Sequence, residues 1–162
     1  MIDNQQLRHY VKAISRARKS LARSPVLAAL LTLALISSGA WAGTAPEANS
    51  GNPGQTLDVK SLSVKGKTTV IDFYSPFCPP CVQLAPIMAQ LAKKRPDLVI
   101  KKVNINRPGI QGIDWRSPLA QQYQIRQVPY FMIFNPQGQL VAQGREAVEP
   151  VGRWLREAGL MQ

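Results

Sequence analysis

Val70-Ile71-Asp72-Phe73-Tyr74-Ser75-Pro76-Phe77-Cys78-Pro79-Pro80-Cys81 is the stretch from which the rest of this chain reads outward. An apolar, β-branched run enters a turn, and the turn delivers two cysteines separated by two residues, the only cysteines in 162 residues. Apolar residues then recur at helical spacing: Val82, Leu84, Ala85, Ile87, Met88, Leu91 and Ala92. A strand, a Cys-x-x-Cys pair and a helix in that order read as a redox motif. A helix start offers unpaired N–H groups and the positive end of the dipole, and both favour thiolate over thiol. Pro79 and Pro80 suit a first helical turn, where a missing N–H has no intrahelical partner to lose. They also remove two donors from the surroundings of the Cys78 sulfur and leave the Cys81 N–H as the nearest one. A lowered but not extreme thiol pKa is therefore expected at Cys78. Cys78 is expected to be exposed, and Cys81 the more buried of the two.

The length suits one domain plus a targeting segment. The net charge is +11. Six of the twenty Lys and Arg residues lie in residues 1–42 with one Asp, which leaves fourteen bases against eight acids for the remainder. This excess reads first as a solvated surface, with attraction to acidic partners or an anionic membrane as the sharper alternative. No aromatics alternate with the bases as a single-stranded nucleic-acid platform requires, so nucleic acid is set aside.

Arg8, Lys12, Arg16, Arg18, Lys19 and Arg23 form a positive leader to the apolar run Val26 to Ile36, and Ala40-Trp41-Ala42 offers a small-x-small cleavage site before Gly43. Residues 1–42 thus read as a secretory signal peptide or, if uncleaved, as an N-terminal membrane anchor over Pro25 to Ala42. Either way the basic flank stays in the cytoplasm and the remainder is exported to the periplasm or cell envelope. The single histidine, His9, falls in this leader, so the folded part has no histidine base or metal ligand. Residues 43–54, Gly-Thr-Ala-Pro-Glu-Ala-Asn-Ser-Gly-Asn-Pro-Gly, read as a flexible linker. The folded domain is expected over 55–162.

Within it, Leu57 to Val64 is an ambiguous short element. Thr68 to Tyr74 reads as a strand apolar on both faces. A helix follows from Cys78 or Cys81 to Arg95, kinked at Pro86. Leu98 to Ile105 is a second strand, and Arg107 to Pro118 a loop in which Trp115 reads as an anchor. Ser117 caps a short helix with Pro118 at its first position. Tyr130 to Phe134 and Leu140 to Gln143 are strands joined by the turn Asn135-Pro136-Gln137-Gly138. Pro150 opens a last helix with Val151, Trp154, Leu155 and Ala158 on one face. The order β-α-β-α-β-β-α predicts an α/β fold, a mixed sheet with helices on both faces.

From about Thr68 to Leu160 the chain resembles the thioredoxin-fold thiol–disulfide oxidoreductases. Cys78-Pro79-Pro80-Cys81 stands where they carry their redox pair. Asp72, six residues before Cys78, stands where they hold a buried acid, and Pro86, five after Cys81, where they hold a helix-kinking proline. Lys102-Val103-Asn104-Ile105-Asn106 is similar to one of their strands, and Ile125-Arg126-Gln127-Val128-Pro129 to the loop carrying their cis-proline. Tyr74 and Phe77 replace the two tryptophans that flank the motif, Pro-Pro replaces Gly-Pro, and the Arg107–Pro118 loop is longer. The strong-oxidant branch carries a histidine where this chain has Pro80, and an inserted helical domain for which there is no room.

The resemblance implies a thioredoxin-like fold and an enzyme that exchanges a dithiol with protein disulfides; with the leader it reads as an exported one, and the missing histidine before Cys81 and the two lost amide donors point to a reductant rather than a strong oxidant. Cys78 is then the nucleophile and Cys81 the resolving thiol. Asp72 is a proton acceptor for Cys81, with Lys102, or else its neighbour Lys101, as its partner. A cis Val128–Pro129 bond lets the Val128 backbone pair with a substrate strand. Phe77, Pro76 and Tyr130 form an apolar rim or are simple packing. No cofactor or metal is called for, a monomer is expected, and an exported reductase implies a membrane electron donor. The competing readings are a copper carrier or metalloprotein assembly factor, and a tethered interaction domain without catalysis. A structural disulfide is disfavoured because so short a loop constrains the unfolded chain by only about 2 kcal/mol.

Overall fold

The computed structural model describes residues 45–162. The leader 1–42, expected as a signal or anchor, lies outside the described residues. Three hydrogen-bonded strand pairings build a four-stranded sheet from β1 (Thr68–Tyr74), β2 (Leu98–Asn104), β3 (Tyr130–Phe134) and β4 (Leu140–Gln143), in the order β2-β1-β3-β4. β1 runs parallel to β2 and antiparallel to β3, and β3 is antiparallel to β4, so the sheet is mixed. A parallel pair needs a crossover connection. The helix α1 (Pro79–Lys94) provides it, followed later by α2 (Pro118–Gln122) and α3 (Arg145–Glu157).

β1 is central and buried over Thr69 to Phe73, as its apolar character on both faces predicts. Side-chain alternation sends its residues into two separate cores. Val70 joins Met88 and Leu91 of α1, Ile100, Phe131, Ile133, and Ala147, Val151 and Leu155 of α3. Ile71 and Phe73 join Val59, Val103, Ile105, Leu119 and Ala120 of α2, Ile125, Met132 and Phe134. Asp72 therefore faces the α1 and α3 layer, into apolar surroundings.

The short helix α2 begins as its sequence predicts: the Ser117 hydroxyl accepts the Ala120 N–H at 3.1 Å, with Pro118 in the first position. The ambiguous stretch 57–64 becomes a 3₁₀ turn, Val59–Leu62, capped by Asp58. Its Val59 N–H donates to the Tyr123 hydroxyl, which in turn donates to the Leu57 carbonyl.

Two expectations are corrected. The last helix starts at Arg145, five residues before Pro150, which lies inside it. Gly144, at φ 54°, reverses the chain directly after β4. Ala147, Val151 and Leu155 then bury a stripe at four-residue spacing, and that burial outweighs the one helical hydrogen bond lost at Pro150.

Residues 43–54, expected as a flexible linker, do not behave as one over their described part, 45–54. They form a strap along the outer edge of β2. Ala48 N–H donates to the Lys102 carbonyl at 2.8 Å, and Lys102 N–H to the Pro46 carbonyl at 3.2 Å. The Asn49 side chain donates to the Asn104 carbonyl at 2.8 Å and accepts the Asn104 N–H at 2.9 Å. An open strand edge leaves polar backbone groups without partners. Here the strap supplies them, with backbone at Lys102 and with the Asn49 side chain and the Gly54 N–H at Asn104. Gly54 ends the strap at φ 73°, where an added Cβ would lie 2.6 Å from the Arg107 nitrogen. Only glycine fits that approach without displacing backbone.

Candidate functional site

The turn Ser75–Cys78 sets the site. Cys78 N–H donates to the Ser75 carbonyl at 3.1 Å and Phe77 N–H to the Ser75 hydroxyl at 3.1 Å. Cys78 is the N-cap of α1, and Pro79 and Pro80 fill its first two positions. Cys78 and Cys81 are joined as a disulfide, with Cα atoms 5.3 Å apart. The Cys81 N–H points at the Cys78 sulfur at 3.2 Å. Once the bridge is reduced, this donor and the helix dipole act on one sulfur and stabilise its thiolate.

Cys78 is not the exposed member of the pair: both cysteines are 3 % exposed. The cause is the loop before β3. The Val128 carbonyl oxygen lies 3.6 Å from the Cys78 sulfur, and the Val128–Pro129 peptide bond is cis. The site is therefore shallow and shielded, with apolar side chains standing outside it. Phe77 is 42 % and Val82 54 % exposed, and Pro76, Pro79 and Pro80 are also open to solvent.

Tyr130 does not join that rim. It lies one residue past Pro129, but its ring packs edge-on to Phe73 at 5.8 Å and against Gly144, in the layer on the other side of the sheet. Pro86 lies exposed inside α1, where it removes a donor to the Val82 carbonyl. Trp115 is 37 % exposed, and its carbonyl accepts from the Gln121 side chain at 2.6 Å. The loop around it is braced by Arg107 and Asp114, whose side chains meet at 2.7 Å.

Asp72 is 2 % exposed, and its Oδ1 has no hydrogen-bond partner among the described residues. Burial pushes its carboxyl up to about 7, while the Lys102 charge pulls it back. Lys102 is the inward lysine: it is in register with Asp72 across β1 and β2 and is 8 % exposed. Lys101 pairs in register with Ile71 and so projects to the other face. The Lys102 ammonium is not ion-paired to Asp72. Its Nζ sits 3.9 Å from the centre of the Tyr74 ring. The Tyr74 hydroxyl donates to Glu47 Oε2 on the strap. Burial first, then this contact, holds the Tyr74 hydroxyl well above the ordinary phenol range. Glu47 and the Tyr74 hydroxyl escape sequence reading. The available signal was that Glu47 is the only charged residue in 43–54.

A bridged Cys-x-x-Cys at a helix start, beside a cis-proline loop on a mixed sheet, defines the class of thioredoxin-fold proteins. Residues 58–153 match the Thioredoxin family model. Thioredoxin H3 of Arabidopsis thaliana is 34 % identical over 85 residues, which span 52 % of this chain and 64 % of the plant protein, just under two thirds of its length. Thioredoxin H-type 1 of Brassica napus is 32 % identical over 94 residues, 56 % of this chain and 70 % of that one. Among solved structures, the thioredoxin of Fasciola hepatica is 26 % identical over 57 % of this chain and 82 % of its own, with a TM-score of 0.42. The reduced thioredoxin pre-protein of Schistosoma mansoni is 24 % identical over 71 % of this chain and 98 % of its own, with a TM-score of 0.48. The chain belongs to the thioredoxin family, whose members are thiol–disulfide oxidoreductases.

Proposed function

We propose that this chain is an exported reductant of protein disulfides in the cell envelope. The observation that carries the reading is the Cys78–Cys81 bridge at the start of α1, with the Val128 carbonyl 3.6 Å from the Cys78 sulfur and exposed Phe77 and Val82 around it. In the reduced state the Cys78 thiolate attacks one sulfur of a substrate disulfide. A Cys78–substrate disulfide forms and the other substrate sulfur leaves as a thiolate. Asp72 takes the Cys81 proton. The Cys81 thiolate then attacks the Cys78 sulfur, re-forming the bridge and releasing the second substrate thiolate. Two electrons pass from the dithiol to the substrate. A buried carboxyl poised near 7 suits this proton transfer, because a base works best when its pKa is close to the working pH.

The reductant direction is supported by Pro79 and Pro80, which leave the Cys81 N–H as the sulfur's donor and put no histidine before Cys81. Export is supported by the basic leader, the apolar run Val26 to Ile36 and the Ala40-Trp41-Ala42 site. A reductant outside the cytoplasm must be recharged, so a membrane-borne dithiol donor is part of the proposal. The chain acts as a monomer, and any membrane contact is made by residues 1–42.

Cys81→Ser is expected to accumulate mixed disulfides on Cys78 when expressed in a cell that exports the chain, and Cys78→Ser to capture none. Purified wild type is expected to reduce insulin and to equilibrate with glutathione at a potential nearer the reducing than the oxidising members of the fold. A potential among the strong oxidants would defeat the assigned direction. Stoichiometric Cu(I) capture by the reduced protein, with no insulin reduction, would replace exchange with metal carriage. A periplasm-dependent reporter fused after Gln162 is expected to be active only with residues 1–42 present.

A further inference from the structure

Across three adjacent segments, one row of side chains alternates in charge. Glu47 on the strap is the parallel backbone partner of Lys102 on β2, and Lys102 is in register with Asp72 on β1. Residues in register project to the same face of a sheet. One nearly buried ammonium is therefore flanked by two carboxylates, that of Asp72 and that of half-buried Glu47. Among the described residues neither forms an ion pair with it. Tyr74, two positions beyond Asp72 on β1, holds both other members instead. Its ring face carries the Lys102 ammonium, and its hydroxyl donates to Glu47.

We propose that Tyr74 is a positioning residue for Asp72: by occupying Glu47, the Tyr74 hydroxyl keeps that competing carboxylate from claiming Lys102, and leaves the ammonium's field to Asp72. The functional consequence rests on the exchange reaction proposed above and extends it to residues outside the cysteine motif. A single cation cannot serve two carboxylates equally, so whichever holds it closer is the better stabilised as an anion. The Tyr74 hydroxyl, a neutral donor, satisfies Glu47 without spending the charge. The other elements packed against Asp72 offer few competing groups. Among the buried residues of α1 the titratable one is Cys81, bridged in this state, Lys93 and Lys94 being exposed at its far end, while Phe131 on β3 and the buried Ala147, Val151 and Leu155 of α3 carry no charge.

The test is a carboxyl-carbon NMR titration of the full-length chain in its disulfide form, with labelled aspartate and the Asp72 signal identified by its loss in Asp72→Asn. In Tyr74→Phe the freed Glu47 draws Lys102 away, and the Asp72 midpoint is expected to rise by about 0.5 to 1 pH unit. In Glu47→Gln it is expected to stay at or fall below the wild-type value. In the Tyr74→Phe, Glu47→Gln double variant no competing carboxylate remains, so the midpoint should return to the wild-type value or below. An unmoved midpoint in Tyr74→Phe overturns the proposal. So does a double variant displaced as far as Tyr74→Phe, since the effect would then belong to packing of the ring and not to Glu47. The titration needs no partner protein, so its outcome is independent of insulin reduction. Absent insulin reduction with the expected shifts would sink the exchange reading and leave this arrangement standing.

Discussion

Asp72 shows how a single residue can be legible in kind and illegible in value. Its place in a β-branched strand, between Ile71 and Phe73 on one face and Val70 and Tyr74 on the other, announces a buried acid. How far burial raises it depends on the cations around it, and Lys102 reaches it only through strand pairing. With a carboxyl at about 7, the proton acceptor proposed for Cys81 becomes competent as pH rises through neutrality. Asp72→Asn is expected to slow resolution of the mixed disulfide by about 100-fold above pH 7 and to remove the inflection near 7 from the rate profile. Rapid-mixing kinetics with a small disulfide checks this. Cys78 is the residue where sequence reading erred. Its position as N-cap was visible, but its burial was not, because the covering atom is the carbonyl of Val128, fifty residues away.

The elements were largely readable from their own residues. β3 is a continuous apolar run and β1 one broken by Asp72, α1 and α2 open on prolines, and Gly138, at φ 75°, closes the turn between β3 and β4. Where the reading failed, a neighbour had overridden local chemistry. Pro150 carries a helix-start signal, yet the stripe Ala147, Val151, Leu155 packs against the sheet and extends α3 past it. Pro150→Ala restores the missing N–H and is expected to stabilise the protein by about 1 to 3 kcal/mol in thermal denaturation. The strap looked like a linker because Gly, Pro, Ser and Asn dominate it. Its composition gives no hint that the edge of β2 waits for partners. Asn49→Ala leaves the Asn104 N–H without its partner and the Asn104 carbonyl with the Gly54 N–H alone. A loss of about 1 to 2 kcal/mol is expected from urea unfolding.

At the scale of the whole molecule the buried acid sets a pH dependence. The unfolded chain ionises Asp72 near 3.8, while the folded chain holds the proton until about 7. Between these values the folded state binds more protons than the unfolded one, so stability falls as pH rises. The penalty is absent below about pH 4, is complete above about pH 7, and amounts to roughly 4 kcal/mol at most. Asp72→Asn is expected to unfold at a higher temperature than wild type at pH 8, with the gap closing toward pH 4. Calorimetry across that range decides it. The class of fold, the order of elements, the cysteine pair at a helix start and the acid beneath it are all written in the residues, because these follow from periodicity, proline placement and turn chemistry within short windows. Folding in three dimensions is what makes the strap part of the domain, sets Val128 against Cys78, and puts Glu47, Lys102 and Asp72 in a row. Strand pairing brings together residues that are distant along the chain, and no local pattern carries that information.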